Sequence, residues 1–227
     1  MAVTVRSKAE TIETITGNTT VTEPAGAASG DVLIAHAVAE SGTSLAKPSG
    51  WTDLYGPSTQ GAFMVLVSYI SRGGSAPSLT WSVSGTSKYR EVYVVCLKSD
   101  VTSVVLDSQS TSGTFSGTIT NPDPPASVAV ASSSLAMTGG VNWSGSGAGG
   151  WGMPAGYTVQ TVNAAGDDGI LASKVLSTAG SENPAAFSNG GGSNDGWDGF
   201  TVTFTDAVGG GQVPYQPQYA RSPVLAQ

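Results

Sequence analysis

Pro48-Ser49-Gly50-Trp51-Thr52 returns 106 positions later (48 to 154) as Pro154-Ala155-Gly156-Tyr157-Thr158. An apolar run follows each copy, Phe63 to Ile70 in the first case and Ile170 to Ser177 in the second, and Ser71 meets Ser177 at the same spacing. The echo continues in both directions. Thr20-Val21-Thr22-Glu23-Pro24 matches Thr118-Ile119-Thr120-Asn121-Pro122, and Glu91 to Leu97 matches Asp198 to Phe204, with Tyr93, Val95 and Leu97 over Phe200, Val202 and Phe204. Strands that keep their length while the loops between them vary are what a duplicated unit leaves behind. Large apolar residues at every second position place one face of each strand on a core.

The reading outward from this motif is an all-β fold: a β-sandwich of two quasi-repeated halves with extended N- and C-terminal arms. No ten-residue segment combines helical periodicity with caps. The sandwich is assigned to residues 18–207, with half-repeats at about 20–98 and 118–205. Units of about 85 residues are small for independent cores, so one fused sandwich with a single shared interior is expected. Val32 to Ala39, apolar on both faces, reads as a central strand. Gly42 to Gly50 reads as loop and Trp51 to Tyr55 as a short strand; Asn121-Pro122-Asp123-Pro124-Pro125, with three prolines, marks the midpoint and cannot be central sheet. Residues 1–17 are an N-terminal arm or edge strand. In residues 208–227, Gly209-Gly210-Gly211 leads into a segment with Pro214, Pro217, Pro223, Tyr215 and Tyr219, a composition that favours an extended, polyproline-like arm.

Composition narrows the function. Of the 227 residues 11% are charged, against about a quarter in an average soluble domain, and 9 basic residues face 16 acidic ones for a net charge of −7. That balance offers no electrostatic footprint for nucleic acid. Met1 to Lys8 lacks an apolar signal core and no run approaches the ~18 apolar residues of a membrane span, so synthesis in a cytoplasm and no membrane partner are expected. Cys96 is the single cysteine, which rules out an intrachain disulfide; within an apolar strand it reads as a small buried thiol.

Catalytic chemistry is thin. His36 is the only histidine and sits in an apolar strand with no neighbour to orient it, so it reads as a core residue before a general base. Histidine-clustered metal sites are excluded. Asp167, Asp168, Asp195 and Asp198 lie in glycine-bent acidic stretches and are weak calcium candidates. Neither stretch has the full twelve-residue loop with its terminal glutamate, and aspartate with glycine is also ordinary turn chemistry. No cofactor motif is present. The glycine-rich stretch Gly139 to Gly152, tipped by Trp143 and Trp151, is a candidate loop contact surface.

The succession Pro24-Ala25-Gly26, Gly30-Asp31-Val32-Leu33-Ile34-Ala35, Pro48 to Thr52, Leu79-Thr80-Trp81 and Tyr93-Val94-Val95, with the second copy at Pro154 to Thr158, resembles a family of jelly-roll-like β-sandwich structural proteins of tailed bacteriophages. The resemblance covers roughly residues 20 to 206 and names no catalytic residues. It implies a non-enzymatic virion protein made in the host cytoplasm: a capsid decoration (cement) protein whose partners are the major capsid protein or another virion protein, present on the particle as a homo-oligomer (trimer or dimer). The arms lie outside the resemblance; from composition, the C-terminal one is expected to reach neighbours through Val213, Pro214, Tyr215, Pro217, Tyr219 and Leu225. The alternative is a receptor- or glycan-binding module of a tail, fibre or surface appendage, with Trp143, Trp151 and Trp197 as stacking platforms. A hydrolase on the same scaffold would have to work through His36.

Overall fold

The computed structural model describes residues 3–13, 17–40, 42–60, 63–85, 90–110, 114–115, 123–127, 133–142, 151–161, 169–189 and 197–207. These contain strands and turns and no helix. The first half consists of β1 (Thr4–Glu13), β2 (Thr19–Thr20), β3 (Val32–Glu40), β4 (Gly42–Ala46), β5 (Thr52–Gln60), β6 (Phe63–Ser71), β7 (Thr80–Gly85) and β8 (Arg90–Lys98). The second consists of β9 (Val104–Ser110), β10 (Thr114–Phe115), β11 (Leu135–Asn142), β12 (Trp151–Gly152), β13 (Thr158–Val159), β14 (Gly169–Val175), β15 (Ser188–Asn189) and β16 (Trp197–Asp206).

The two halves share one topology. The large sheet of the first half runs β1-β8-β3-β6-β5; that of the second runs β16-β11-β14-β13, with β9 and β10 both paired to the free side of β16. A smaller sheet, β2-β7-β4, accompanies the first and β12-β15 the second. All pairings are antiparallel, so β1 corresponds to β9, β3 to β11, β6 to β14 and β8 to β16. The N-terminal segment is therefore an edge strand, paired with β8 from Thr4 to Glu13.

Register makes the correspondence residue by residue. Val32 faces Ser71 on one side and Leu97 on the other; Leu135 faces Val175 and Phe204. The match of Tyr93, Val95 and Leu97 to Phe200, Val202 and Phe204 thus coincides with strand register. The uniform spacing of 106 does not hold: Thr52 faces Tyr69 while Thr158 faces Ser173, so Ser71 corresponds to Val175 rather than to Ser177. The connection before β14 is two residues shorter than that before β6. Alternation cannot register such a slip, because a shift of two leaves every side chain on its original face.

The repeated motif forms the same turn twice. Trp51 N donates to Pro48 O at 3.4 Å and Tyr157 N to Pro154 O at 3.0 Å. Gly50 and Gly156 sit at φ 87° and 80°, the left-handed third position of a type II turn that glycine occupies without strain. Each turn then buries its aromatic residue.

Packing corrects the expectation of a single interior. Val32, Ile34, Val67, Tyr93, Val95 and Leu97 meet Leu135, Met137, Leu171, Phe200, Val202 and Phe204 in a core shared by the two large sheets. The opposite face of the first large sheet (Leu33, Ala35, Leu66, Val94, Cys96) buries a separate core under the small sheet, with Trp51 and Trp81 edge-on at 5.1 Å. In the second half, Ala136, Ile170, Ala172, Tyr157, Leu176 and Phe187 form the corresponding cluster. The sandwich is doubled, with two large sheets back to back and a smaller layer outside each. The reason lies in β3 and β8, which are buried at every position but the last and so need partners on both faces.

Three further segments differ from expectation. Of the stretch Gly139 to Gly152 read as loop, the first four residues complete β11 and the last two form β12, where each is paired in a sheet. Within the other stretch read as loop, Gly42–Ala46 pairs with β7 and buries Leu45. The short strand expected at Trp51 to Tyr55 runs on as Thr52–Gln60, its pairing to β6 interrupted by irregularities at Leu54 and at Gly56-Pro57.

Candidate functional site

Polar side chains collect at one end of the shared core. Glu91, the second residue of β8, faces Val38; Asp198, the second residue of β16, faces Val141, so the two acids occupy equivalent positions. Both are enclosed, at 0% and 1% exposure. Each carboxylate is met by the other half. Glu91 Oε2 accepts from Gly169 N of β14 at 3.1 Å and from Tyr93 Oη of its own strand at 2.7 Å. Asp198 Oδ2 accepts from Tyr55 Oη at 2.5 Å and Ser58 Oγ at 2.6 Å, both on β5, while its Oδ1 takes Gly199 N at 2.8 Å. Val38, Val65 and Val141 form the apolar surround, with Tyr55 against them.

His36 lies in the same region. It is fully buried, and neither Nδ1 nor Nε2 has a hydrogen-bond partner. Its ring sits 6.2 Å from that of Tyr93, its cross-strand neighbour, and 5.6 Å from that of Phe200 on the opposing sheet. The equivalent position is Gly139, which faces Phe200 as His36 faces Tyr93. A Cβ on Gly139 would fall 2.5 Å from Phe200 Cε1 and 2.7 Å from Ile170 O; the missing side chain is the room into which Phe200 turns. Gly169 brings backbone equally close: a Cβ there would lie 3.1 Å from Glu91 Oε2 and 3.2 Å from His36 Cε1.

Burial governs the titration of these groups. It pushes His36 down to about 4, since an imidazolium there would lose its hydration without compensation. It raises Asp198, against the opposing effect of the bonds from Ser58, Tyr55 and Gly199 N. His36, Glu91 and Asp198 are all enclosed, and the bonds of the two acids tie β5 to β16 and β8 to β14.

Two smaller polar clusters sit at the margins. Asp31, just before β3, accepts from Arg6 Nε at 2.8 Å and Nη2 at 3.1 Å, from Ala28 N at 2.9 Å and from Cys96 Sγ at 3.4 Å. Burial, then the neighbouring Asp31 charge, pushes the Cys96 thiol up to about 12. In the second half Glu182 Oε1 accepts from Lys174 Nζ at 2.8 Å and from Tyr157 Oη at 3.2 Å, with the ammonium 5.5 Å from the Tyr157 ring centre.

The residues proposed from sequence fall in different places. Asp198 belongs to a strand in the shared core rather than to a turn, with its carboxylate filled by protein donors. Asp167, Asp168, Asp195 and Trp143 lie outside the described residues, as do Val213, Pro214, Tyr215, Pro217, Tyr219 and Leu225. Trp151 pairs through its backbone with Asn189, and Trp197 with Asn142 and Phe115. Among the described residues no three His, Cys, Asp or Glu side chains gather as metal ligands, and no helix is long and apolar enough to cross a membrane. Sequence reasoning missed Glu91, Tyr55, Ser58 and Gly169 as a unit. The available signal was an acid at the head of an otherwise apolar strand in both copies.

Fold and polar layer together define a class: an all-β protein of two duplicated sandwich halves joined face to face. Comparison with protein-family models, curated proteins and solved structures finds no match.

Proposed function

We propose that this chain is a non-enzymatic virion structural protein, a capsid decoration protein that binds the shell of a tailed bacteriophage in multiple copies. The observation that carries the reading is the nested pairing of the first half, β1 with β8, β2 with β7 and β3 with β6, repeated as β9 with β16 and β11 with β14. Nested hairpins folded over into two layers are the plan of a jelly roll, a scaffold used by viral capsid domains and by lectins. Two copies in one chain give a rigid body whose large sheets cover each other and leave the outer layers and sheet edges for neighbours. The arm at 208–227 then adds contact area on an adjacent subunit, with proline lowering the cost of ordering it.

Deleting residues 208–227 and measuring incorporation into particles tests the proposal. Reduced occupancy with an unchanged fold by circular dichroism is the expected result, and full occupancy removes the arm from the mechanism. Failure of the intact protein to bind purified shells, with binding to a glycan array that is lost on Trp143→Ala or Trp151→Ala, replaces decoration by glycan recognition.

A further inference from the structure

We propose that the layer of His36, Glu91 and Asp198 is an acid-operated joint: proton uptake at His36 loosens the packing of one large sheet on the other while each half keeps its own outer core. The inference is independent of any role on a particle.

The geometry leaves an imidazolium without support. Its ring is enclosed between Tyr93 of its own sheet and Phe200 of the opposing one, at the plane where the halves meet. Among the described residues, the titratable groups beside it are Glu91 and Tyr93 of β8; Asp198 of β16, bonded to Tyr55 of β5, lies at the same end of the core, and β14 contributes the backbone of Gly169. Glu91 Oε2 already takes a hydroxyl and an amide, and the Tyr93 proton is committed to it. Asp198 is met by two hydroxyls and an amide. An imidazolium presents two N–H donors, one more than the neutral ring, and drawing Glu91 or Asp198 towards them weakens the bonds that these acids accept from the opposite half. A charged imidazole reaches water most cheaply by opening this plane.

Separate outer cores allow that opening without global unfolding. Among the described residues, fifteen form the buried core at the small sheet of the first half and six the corresponding cluster of the second. Buried histidines that must charge are a recurrent means of pH-dependent rearrangement.

Amide hydrogen exchange on the full-length protein from pH 7.5 to pH 4, corrected for intrinsic exchange, tests the joint. Protection at Gly169 to Leu171 and at Val92 to Val94 is expected to fall by up to about tenfold per pH unit, the limit set by uptake of one proton, with amides of β7 little changed. His36→Gln, neutral throughout, is expected to keep that protection at pH 4. The chain has one histidine, so its Cε1–H resonance is unambiguous, and in the wild type it should titrate together with the loss of protection. Protection retained to pH 4, the same loss in His36→Gln, or a ring that titrates near its ordinary value with protection unchanged would each overturn the proposal. Should His36→Gln not fold, the wild-type ring titration and exchange profile decide alone.

Discussion

Arg6 and Asp107 occupy the same position in the two halves: each is the extra residue of a β-bulge on an edge strand, Arg6 between pairs Val5–Leu97 and Ser7–Cys96, Asp107 between Leu106–Phe204 and Ser108–Thr203. A bulge turns its extra side chain out of the regular alternation and aims it at a neighbouring element. Arg6 is aimed at Asp31, ahead of β3; Asp107 accepts from Ser134 Oγ at 3.2 Å, ahead of β11, and from Thr203 Oγ1 at 3.4 Å. One corner is closed twice, once by a guanidinium on a carboxylate and once by a carboxylate under hydroxyls.

The first-half corner is the stronger of the two. Asp31 is nearly buried and accepts a two-pronged charged donor as well as a backbone amide. Asp31→Asn is expected to cost about 1–3 kcal/mol, the range for charge-assisted bonds lost from a buried acceptor. Asp107→Asn should cost less, since the bonds from Ser134 and Thr203 come from neutral hydroxyls. Urea denaturation midpoints check the order, and equal losses would contradict it.

Gly139 is fixed by contact rather than by backbone angle. Gly139→Ala puts a methyl group against Phe200 Cε1 and the Ile170 carbonyl. A loss of about 1–3 kcal/mol is expected, as for overpacking in a filled core, with thermal unfolding as the measurement. Gly73→Ala, whose Cβ would meet nothing within 4 Å, is the matched control and should change little.

Asp198 and His36 give opposite pH dependences. The folded pKa of Asp198 is raised, so its contribution is fully present below the ordinary aspartate value and is lost as pH rises through the folded value. That of His36 is depressed, so its contribution is present above about 6.5 and is lost as pH falls towards about 4. Asp198→Asn should therefore improve stability at neutral pH relative to wild type more than at pH 4, provided Tyr55 and Ser58 still donate to the amide oxygen. A wild-type-like dependence above pH 4 in this variant would show that the carboxylate is not strained by burial.

Arg90 is fully buried, and none of Nε, Nη1 and Nη2 has a hydrogen-bond partner. It faces Glu13 across β1 and β8, and Glu13 Oε2 is likewise buried without a partner. Enclosed charge of this kind is costly, and replacing it by an apolar chain of similar length is often neutral or stabilising by about 1–4 kcal/mol. Arg90→Met is expected to leave stability unchanged or raise it; a loss above about 1 kcal/mol would mean that the guanidinium is held by more than packing.

Much of the fold was present in short-range pattern. The two Pro-x-Gly-aromatic-Thr copies specify the same turn because glycine at the third position is what a type II turn demands. Tyr93, Val95 and Leu97 over Phe200, Val202 and Phe204 specify matched strands because their period is two. The layering was less accessible. Ala35, Val94 and Cys96 of the first half correspond by register to Thr138, Thr201 and Thr203, all fully buried, and threonine alternation reads as a wetted face when taken alone.

By itself, then, the chain determined its duplication, its antiparallel strands and its paired turns, since these depend on residue identity at fixed local spacing. Tertiary structure alone decided that the large sheets lie back to back, that Glu91 and Asp198 are each satisfied from the opposite half, and that His36 is sealed between Tyr93 and Phe200. Those relations join residues more than fifty positions apart, and a buried acid or histidine looks like a solvated one until the surface that excludes water from it has been put in place.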